Sequence, residues 1–335
     1  MKRFFRFLLL LLAVLVVAYL LGPKPPKPVL NNDLPSVGTS PTALEEEIAR
    51  RESLEKLKPD NQSRFLWAND SLKERTGYAL LYLHGFSASW YEGYPVNSDF
   101  ARRYGCNAYF PRLASHGVDT TEALADMTPD RLWESAKEAL MITRKIGKKV
   151  IVMGTSTGGT LALKLAAEFP EYVDALILLS PNVRINNSSA FLLSRPWGLQ
   201  VARAFYKSKY RVTNEDFASK ECGYWNCKYR LEAVVYLQQL VEATMQRETF
   251  GRVTAPLFLG YYYKDGQNQD QVVRVDAARK MFTQLGTPAT LKVEQAFPEA
   301  GTHVIGCELF SGAVSEVRQS VFRFVEEKLG LQPVQ

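Results

Sequence analysis

One short stretch constrains the fold of this chain more than any other: residues 150–159, whose sequence is VIVMGTSTGG. An apolar run there meets a cluster of small residues, and a helical pattern follows from Leu161. A serine on such a sharp strand-to-helix turn is presented at the end of the strand, and its neighbours must lack bulk because strand and helix nearly touch. The stretch predicts Ser156 as a nucleophile, and a glycine-rich turn with an incidental serine is the alternative.

Strand and helix patterns alternate from Tyr78 onward, which predicts a mostly parallel sheet covered by helices on both faces. The strands are predicted at residues 64–68, 78–83, 107–110, 150–153, 175–179, 257–263 and 289–293. The helices are predicted from Ser40-Pro41 to about Leu57 and at residues 129–146, 161–169, 275–285 and 310–329. Between Pro181 and Pro256 no strand is convincing, and helical patterns carry many aromatic residues. A structureless loop of that length is improbable, so we expect a helical cap inserted above the sheet.

The strand predicted at residues 78–83 leads directly into His84-Gly85-Phe86. In an acyl-transfer enzyme this loop donates a backbone N–H to the oxyanion, and we expect Phe86 and Thr157 to be the two donors. His84 precedes the serine and has no acid placed for it, so we expect it to stabilise its loop. A third histidine, in the loop sequence LASHG at 113–117, is predicted to be structural or to line the substrate pocket.

His303 follows the last predicted strand, in a loop of sequence FPEAGTH. A general base must reach the serine from the carboxyl edge of the sheet, and a histidine in a glycine-containing loop there can do so; a surface histidine is the alternative. A carboxylate is needed to orient the imidazole. Asp265 lies nearer the preceding strand, whereas Asp270 is fixed by Val-Val and a helix after it. We favour Asp270 and keep Asp265 open.

The N-terminal segment has basic residues at positions 2, 3 and 6, then an unbroken apolar run from Phe7 to Leu21. Counted from Phe4 to Gly22 it has about 19 residues, roughly 28 Å as a helix, just enough to cross a bilayer core. Basic residues before the run keep that end cytoplasmic, so we expect the rest to be exported. We favour an uncleaved anchor over a cleavable signal peptide, because no small-x-small site is clear. The following prolines predict a stiff spacer.

The formal net charge of +6 does not indicate a nucleic-acid partner. Five of the basic residues lie before residue 30, and both signs are interspersed in the rest of the chain. A nucleic-acid surface would need a stripe of lysine and arginine on the folded domain. We therefore expect no nucleic-acid binding.

The four cysteines and three histidines include no paired C-x-x-C, which argues against a zinc site. Cys222 and Cys227 are five positions apart, a spacing that a short loop can bridge. Export would allow a disulfide between them. Two independent thiols are the alternative.

The motifs together resemble the α/β-hydrolase superfamily over about residues 76–330, closest to carboxylesterases and monoacylglycerol-lipase-like serine hydrolases. The matching pieces, in chain order, are HGFSAS at 84–89, RLASHG at 112–117, GTSTGG at 154–159, D-x-V-V at 270–273 and AGTH at 300–303. Two departures stand out. The family usually holds its acid a few residues after the strand, which favours Asp265, and the usual first strands are poorly visible before residue 76.

The resemblance implies an α/β-hydrolase fold with a helical cap and a two-step ester hydrolysis by Ser156, Asp270 and His303 that needs no metal or organic cofactor. It implies a small-molecule or lipid ester as substrate. From the N-terminal segment, and not from the resemblance, we expect contact with the membrane and an exported catalytic domain, either anchored or secreted. Peptide or carbon–carbon bond hydrolysis on the same fold, or a non-catalytic membrane-tethered binding protein, are the alternatives. The expected segments are an anchor and spacer at 1–28, a lead-in at 29–75, the core at 76–183 and 255–335, and the cap at 184–254.

Overall fold

The computed structural model describes residues 2–38 and 40–334, so the outermost residues of the first and last predicted segments, 1 and 335, lie outside it. The strands in chain order are β1 (Arg64–Leu66), β2 (Thr76–Leu83), β3 (Asn107–Phe110), β4 (Gly147–Thr155), β5 (Ala175–Leu179), β6 (Tyr210–Val212), β7 (Lys228–Arg230), β8 (Leu257–Tyr261) and β9 (Lys292–Ala296). The helices are α1 (Lys2–Leu20), α2 (Pro41–Glu52), α3 (Val96–Arg103), α4 (Pro129–Ile146), α5 (Thr157–Glu168), α6 (Gly198–Tyr206), α7 (Lys220–Tyr224), α8 (Glu232–Thr244), α9 (Arg247–Arg252), α10 (Val275–Gln284) and α11 (Val314–Leu329).

Seven strands form the central sheet, in the order β1-β3-β2-β4-β5-β8-β9. Each pairing is parallel except that between β1 and β3. The central strands β4, β5 and β8 are apolar and buried along most or all of their length, as expected for a parallel sheet that is covered on both faces. The predicted fold class is confirmed.

Two hydrophobic cores lie on opposite faces of this sheet, because successive strand residues point to alternate sides. Side chains of α3 and α11 fill one core. Those of α4, α5, α8 and α10 fill the other, with α2 packed against α4. The carboxyl ends of the parallel strands are left free to present loops at one edge of the sheet.

Residues 184–254 separate β5 from β8 and contain α6, α7, α8 and α9. They also contain a two-stranded antiparallel hairpin of β6 and β7. The expectation that this interval has no strand was wrong, because three-residue strands give no periodicity that a sequence can reveal. A disulfide joins Cys222 and Cys227 just before β7. We refer to residues 184–254 as the cap.

Several element boundaries differ from those predicted. Residues 289–291 form a 3₁₀ turn, and β9 begins only at Lys292, where its pairing with Leu257 of β8 starts. Helix α2 ends at Glu52 rather than Leu57, and α11 starts at Val314 rather than at residue 310. Pairing with a neighbouring strand thus decided the position of β9, and the local pattern did not.

Helix α1 is long and apolar enough to cross a membrane, the one such helix in the described part of the chain. None of its side chains is buried against the rest of the protein. A helix of this length at this end of a chain suits either an anchor or a signal peptide.

Candidate active site

Ser156 occupies the turn between β4 and α5, in a backbone conformation that L-residues rarely adopt, with φ of 52° and ψ of −116°. The turn is held on both sides, because the Ser156 N–H donates to the carbonyl of Leu179 and its carbonyl accepts from the Asn182 N–H. Non-glycine residues with positive φ persist only where the surroundings impose them, and such strain concentrates at functional sites. The hydroxyl is thereby presented at the carboxyl end of β4.

Small residues around Ser156 are a steric requirement of this turn. A Cβ on Gly158 would lie 1.8 Å from the carbonyl oxygen of Leu83, and one on Gly154 would lie 2.5 Å from the carbonyl oxygen of Gly158. The backbones of β2, β4 and α5 are therefore so close together that no side chain fits between them at these positions. This explains the glycine pattern on both sides of the serine.

His303 and Asp270 are brought together from loops that follow two neighbouring strands, β9 and β8. Nδ1 of His303 lies 2.6 Å from Oδ2 of Asp270, whose other oxygen accepts the N–H groups of Val272 and Val273. Burial lowers the pKa of His303, but the charge of Asp270 and its hydrogen bond raise it, and the net pKa lies above its ordinary value. The carboxylate fixes the ring so that Nε2 is its free side.

Nε2 of His303 is buried and has no hydrogen-bond partner among the described residues. It is the one side-chain nitrogen of a histidine in residues 2–38 and 40–334 left in that state. A buried polar atom without a partner is costly, and functional sites are where such atoms are tolerated. The atom is available to accept a proton.

Asp265, the alternative acid, stabilises a turn and does not contact His303. Its carboxylate accepts the backbone N–H groups of Gln267 and Asn268 and the Asn268 side-chain amide, closing an exposed turn. These hydrogen bonds lower the pKa of Asp265. Of the two candidates, the structure brings only Asp270 to His303.

The two expected oxyanion donors lie on the loops that flank the serine. Thr157 is the first residue of α5, where backbone N–H groups have no partner within the helix. Within the described chain the Phe86 N–H donates no hydrogen bond to protein. The Phe86 ring packs edge-on against Tyr229 of the cap, with centroids 5.0 Å apart.

His84 and His116 tie two loops of the site together and take no part in the Asp270–His303 pair. Nε2 of His84 accepts the Leu113 N–H at 3.1 Å, and Nε2 of His116 accepts the Ser87 N–H at 3.1 Å. Their Nδ1 atoms therefore carry the proton and donate to the carbonyls of Gly85 and Ala114. Burial lowers both pKa values, that of His116 to about 4, so both rings stay neutral.

Glu92, which sequence reasoning missed, places a second buried acid in the site. Its Oε2 accepts the Gly85 N–H and lies 3.5 Å from the Tyr82 hydroxyl. A Cβ on Gly85 would lie 2.6 Å from Oε1 of Glu92 and 2.9 Å from Cβ of Ser156, so the acid and the serine flank the same point. Burial raises the pKa of Glu92 to about 8, although the Gly85 N–H and then His303 lower it. A single glutamate in a short 3₁₀ turn gives no sequence signal of this burial.

The cap reaches the site through its disulfide-bonded loop. The Asn226 N–H donates to the Ser87 carbonyl at 2.7 Å, and Lys58 donates to the carbonyls of Cys222 and Trp225. The loop that carries Phe86 is therefore held by two hydrogen bonds at Ser87, one from Asn226 of the cap and one to His116.

Comparison with known proteins places this arrangement in a family. Residues 80–306 match the sequence pattern described as the alpha/beta hydrolase family, which confirms the resemblance predicted from the motifs. No curated protein matches the chain by sequence.

Solved structures share the fold at low sequence identity. The structure reported for LipS and LipT, two metagenome-derived lipolytic enzymes, aligns with a TM-score of 0.64 at 17% identity, covering 81% of this chain and 99% of that one. A monoacylglycerol lipase of Paleococcus ferrophilus aligns with a TM-score of 0.55 at 14% identity, covering 78% and 97%. An enol-lactonase from Burkholderia xenovorans LB400 gives 0.53 at 14%, covering 79% and 96%.

Proposed function

The chain belongs to the alpha/beta hydrolase family, and from this premise we propose that it is a serine hydrolase that cleaves carboxylic esters through an acyl-enzyme. The observation that carries the proposal is the 2.6 Å contact between Asp270 and Nδ1 of His303, which leaves Nε2 buried and unpartnered. Ser156 stands on a strained turn at the same edge of the sheet. A nucleophile, a base and an orienting acid in the order Ser, Asp, His are what acyl transfer requires.

In the proposed mechanism, the Ser156 hydroxyl attacks the ester carbonyl while Nε2 of His303 takes its proton. The N–H groups of Phe86 and Thr157 hold the oxyanion, and the positive end of α5 points toward the same charge. His303 then protonates the leaving alcohol. Water repeats the cycle on the acyl-enzyme and frees Ser156.

Esters are the proposed substrates because their leaving groups are expelled more easily than amines, and because the cap adds aromatic surface next to Phe86. The similar structures named above are described as lipolytic enzymes, a monoacylglycerol lipase and an enol-lactonase, which supports this choice of substrate class. Within this class we propose a short- to medium-chain acyl ester or a monoglyceride.

A fluorophosphonate probe and a series of p-nitrophenyl esters of increasing acyl length test the proposal. We expect wild type to be labelled and active, and Ser156→Ala to lose both. Ser71→Ala, in an exposed loop before β2, is the matched control and should behave as wild type.

The outcomes separate the alternatives. Labelling at Ser156 with activity on peptides and none on any ester would replace the ester proposal with peptide hydrolysis. No labelling of a folded protein would favour a non-catalytic binding protein.

We also propose that the domain is exported and tethered by α1. The basic residues lie in the first turns of α1, before its apolar run, and the Cys222–Cys227 disulfide fits an oxidising compartment. The proposed division is an anchor and spacer to residue 28, a lead-in to 75, the core at 76–183 and from 255 onward, and the cap at 184–254. Mass analysis of the membrane-bound chain tests whether α1 is retained.

A further inference from the structure

An apolar stripe runs along the outer side of α6 in the cap. Trp197, Val201 and Phe205 are spaced four residues apart, so they lie on one face of the helix. Their exposed fractions are 41%, 58% and 79%. Phe191, in the 3₁₀ turn before α6, extends the exposed apolar surface. Monomeric soluble proteins rarely expose contiguous apolar surface of this kind without a binding role.

The stripe is not a face that α6 could turn inward. Gly198 and Ala202 are buried, and each lies about 100° around the helix axis from the stripe residue before it, so this neighbouring side of α6 already packs against the cap. A Cβ on Gly198 would lie 2.3 Å from the Leu192 carbonyl oxygen, so the helix sits directly on the preceding turn. The outward orientation of the apolar residues is therefore fixed by the packing of the cap itself.

The end of α1 touches this stripe. The indole Nε1–H of Trp197 donates to the Ala18 carbonyl at 3.1 Å, and the Trp197 backbone N–H donates to the Pro23 carbonyl at 2.8 Å. Gly22 packs on the indole so closely that a Cβ there would lie 1.9 Å from Nε1. Ala18 is within the apolar run, so Trp197 meets α1 at the depth where the apolar helix ends.

The segment after α1 is not a free linker. Gln239 donates to the Pro26 carbonyl, Asp130 accepts the N–H groups of Val29 and Leu30, and Trp133 donates to the Asn31 carbonyl. The proline-rich spacer, predicted to be stiff, is a strap bound along the surface of the domain. Because the strap is held by these hydrogen bonds, the cap stays next to the end of α1.

We propose that the Trp197–Val201–Phe205 stripe lies in the lipid surface of the same bilayer that α1 crosses, so that the cap is docked on the membrane. Indole rings favour the headgroup level, and apolar helix faces with basic flanks bind at this boundary. Lys24, Lys27, Arg195 and Lys207 are exposed around the stripe and the strap and can meet anionic headgroups. The proposal rests on the anchored topology of the proposed function and not on its ester chemistry.

Fluorescence of the full-length chain in vesicles tests the docking. Val201→Cys and Phe205→Cys are labelled with a polarity-sensitive fluorophore and reconstituted in phosphatidylcholine and phosphatidylglycerol, with the phosphatidylcholine brominated near the headgroup end of its acyl chains. Cys106 and Cys307 are buried and Cys222 is paired with Cys227, so the introduced thiol is the reactive one in the described chain. Leu72→Cys is the matched control, because Leu72 is 63% exposed and precedes β2, at the opposite edge of the sheet from the cap.

We expect blue-shifted emission at positions 201 and 205 and quenching by brominated lipid severalfold stronger than at position 72. Equal, water-like emission at all three positions would overturn the proposal. A blue shift without lipid quenching would also overturn it, because it would indicate a second copy of the chain on the stripe. Recovery of a soluble chain that lacks α1 would overturn it as well. Because the readout is not catalytic, loss of the ester activity would leave the result unaffected.

Discussion

The carboxylate of Asp270 lies 2.6 Å from Nδ1 of His303, although the two residues are 33 positions apart and follow different strands. Asp270→Asn keeps the size of the side chain but replaces a carboxylate oxygen, which can only accept, with an amide. We expect kcat on a p-nitrophenyl ester to fall about 10³–10⁴-fold, because the imidazole is left in the wrong tautomer.

Asp265→Asn is the control for this loss, since Asp265 closes an exposed turn and does not reach His303. Its kcat should stay close to that of wild type. If Asp265→Asn were the damaging variant and Asp270→Asn the mild one, the assignment of the acid would be reversed.

The pH dependence of kcat/KM tests the proposed role of His303 as the general base. Because only the neutral imidazole accepts a proton, activity should fall as the pH drops through the His303 pKa. That pKa is raised, so the acid limb of the profile should lie above the ordinary histidine value of about 6.5. In Asp270→Asn the residual activity should show an acid limb at lower pH. An acid limb that did not move between the two proteins would contradict the role of Asp270.

Local sequence patterns correctly predicted the limits of those helices and strands whose ends are marked by their own residues. The limits of β3, β5 and α4 are those expected, because each is a run of buried residues or a capped amphipathic helix with clear ends. The limits of β9 were set instead by pairing with β8. The short hairpin in the cap was invisible for the same reason.

The candidate site shows the same division. Ser156 and the glycines around it form a local motif, so the sequence could predict the strained turn that the structure contains. The choice between Asp265 and Asp270 depended on a contact with a distant loop, which spacing could not decide. Glu92 has no motif at all, since its burial results from contacts with Gly85 and Tyr82 on other segments. The catalytic roles of these residues stay predictions.

The short distance between Gly158 and the backbone of β2 predicts that adding one methyl group at position 158 strongly lowers the stability of the fold. A Cβ at position 158 would lie 1.8 Å from the Leu83 carbonyl oxygen, which is backbone and cannot swing aside. We expect Gly158→Ala to lower the free energy of unfolding by about 3 kcal/mol or more, at the upper end of what overpacking costs.

Urea unfolding of the detergent-solubilised chain measures this change, with Gly251→Ala as the control. A Cβ on Gly251 meets nothing within 4 Å and the residue lies in α9, so alanine there should raise the stability by up to about 1 kcal/mol. Similar effects of the two substitutions would mean that the turn at residue 158 can relax.

The buried carboxyl of Glu92 predicts a pH dependence of stability. Its pKa is about 8 in the folded protein and about 4.5 when the chain is unfolded, so between these values the unfolded state holds fewer protons and stability falls as the pH rises. Below pH 4.5 both states are protonated, and above pH 8 both are ionised and the loss is complete. The full loss is on the order of a few kcal/mol. Glu92→Gln has the shape of the protonated acid and removes this loss.

We therefore expect Glu92→Gln to match wild type in free energy of unfolding near pH 4.5 and to exceed it increasingly up to pH 8, as measured by urea unfolding at a series of pH values. The groups facing Glu92 are Tyr82, His303 and Cys307. Of these only His303 titrates in the same window, so the comparison of Glu92 with Gln at position 92 is repeated in a background of His303→Gln. A constant difference between wild type and Glu92→Gln over the whole range would show that Glu92 is ionised throughout, as a second charged partner of His303.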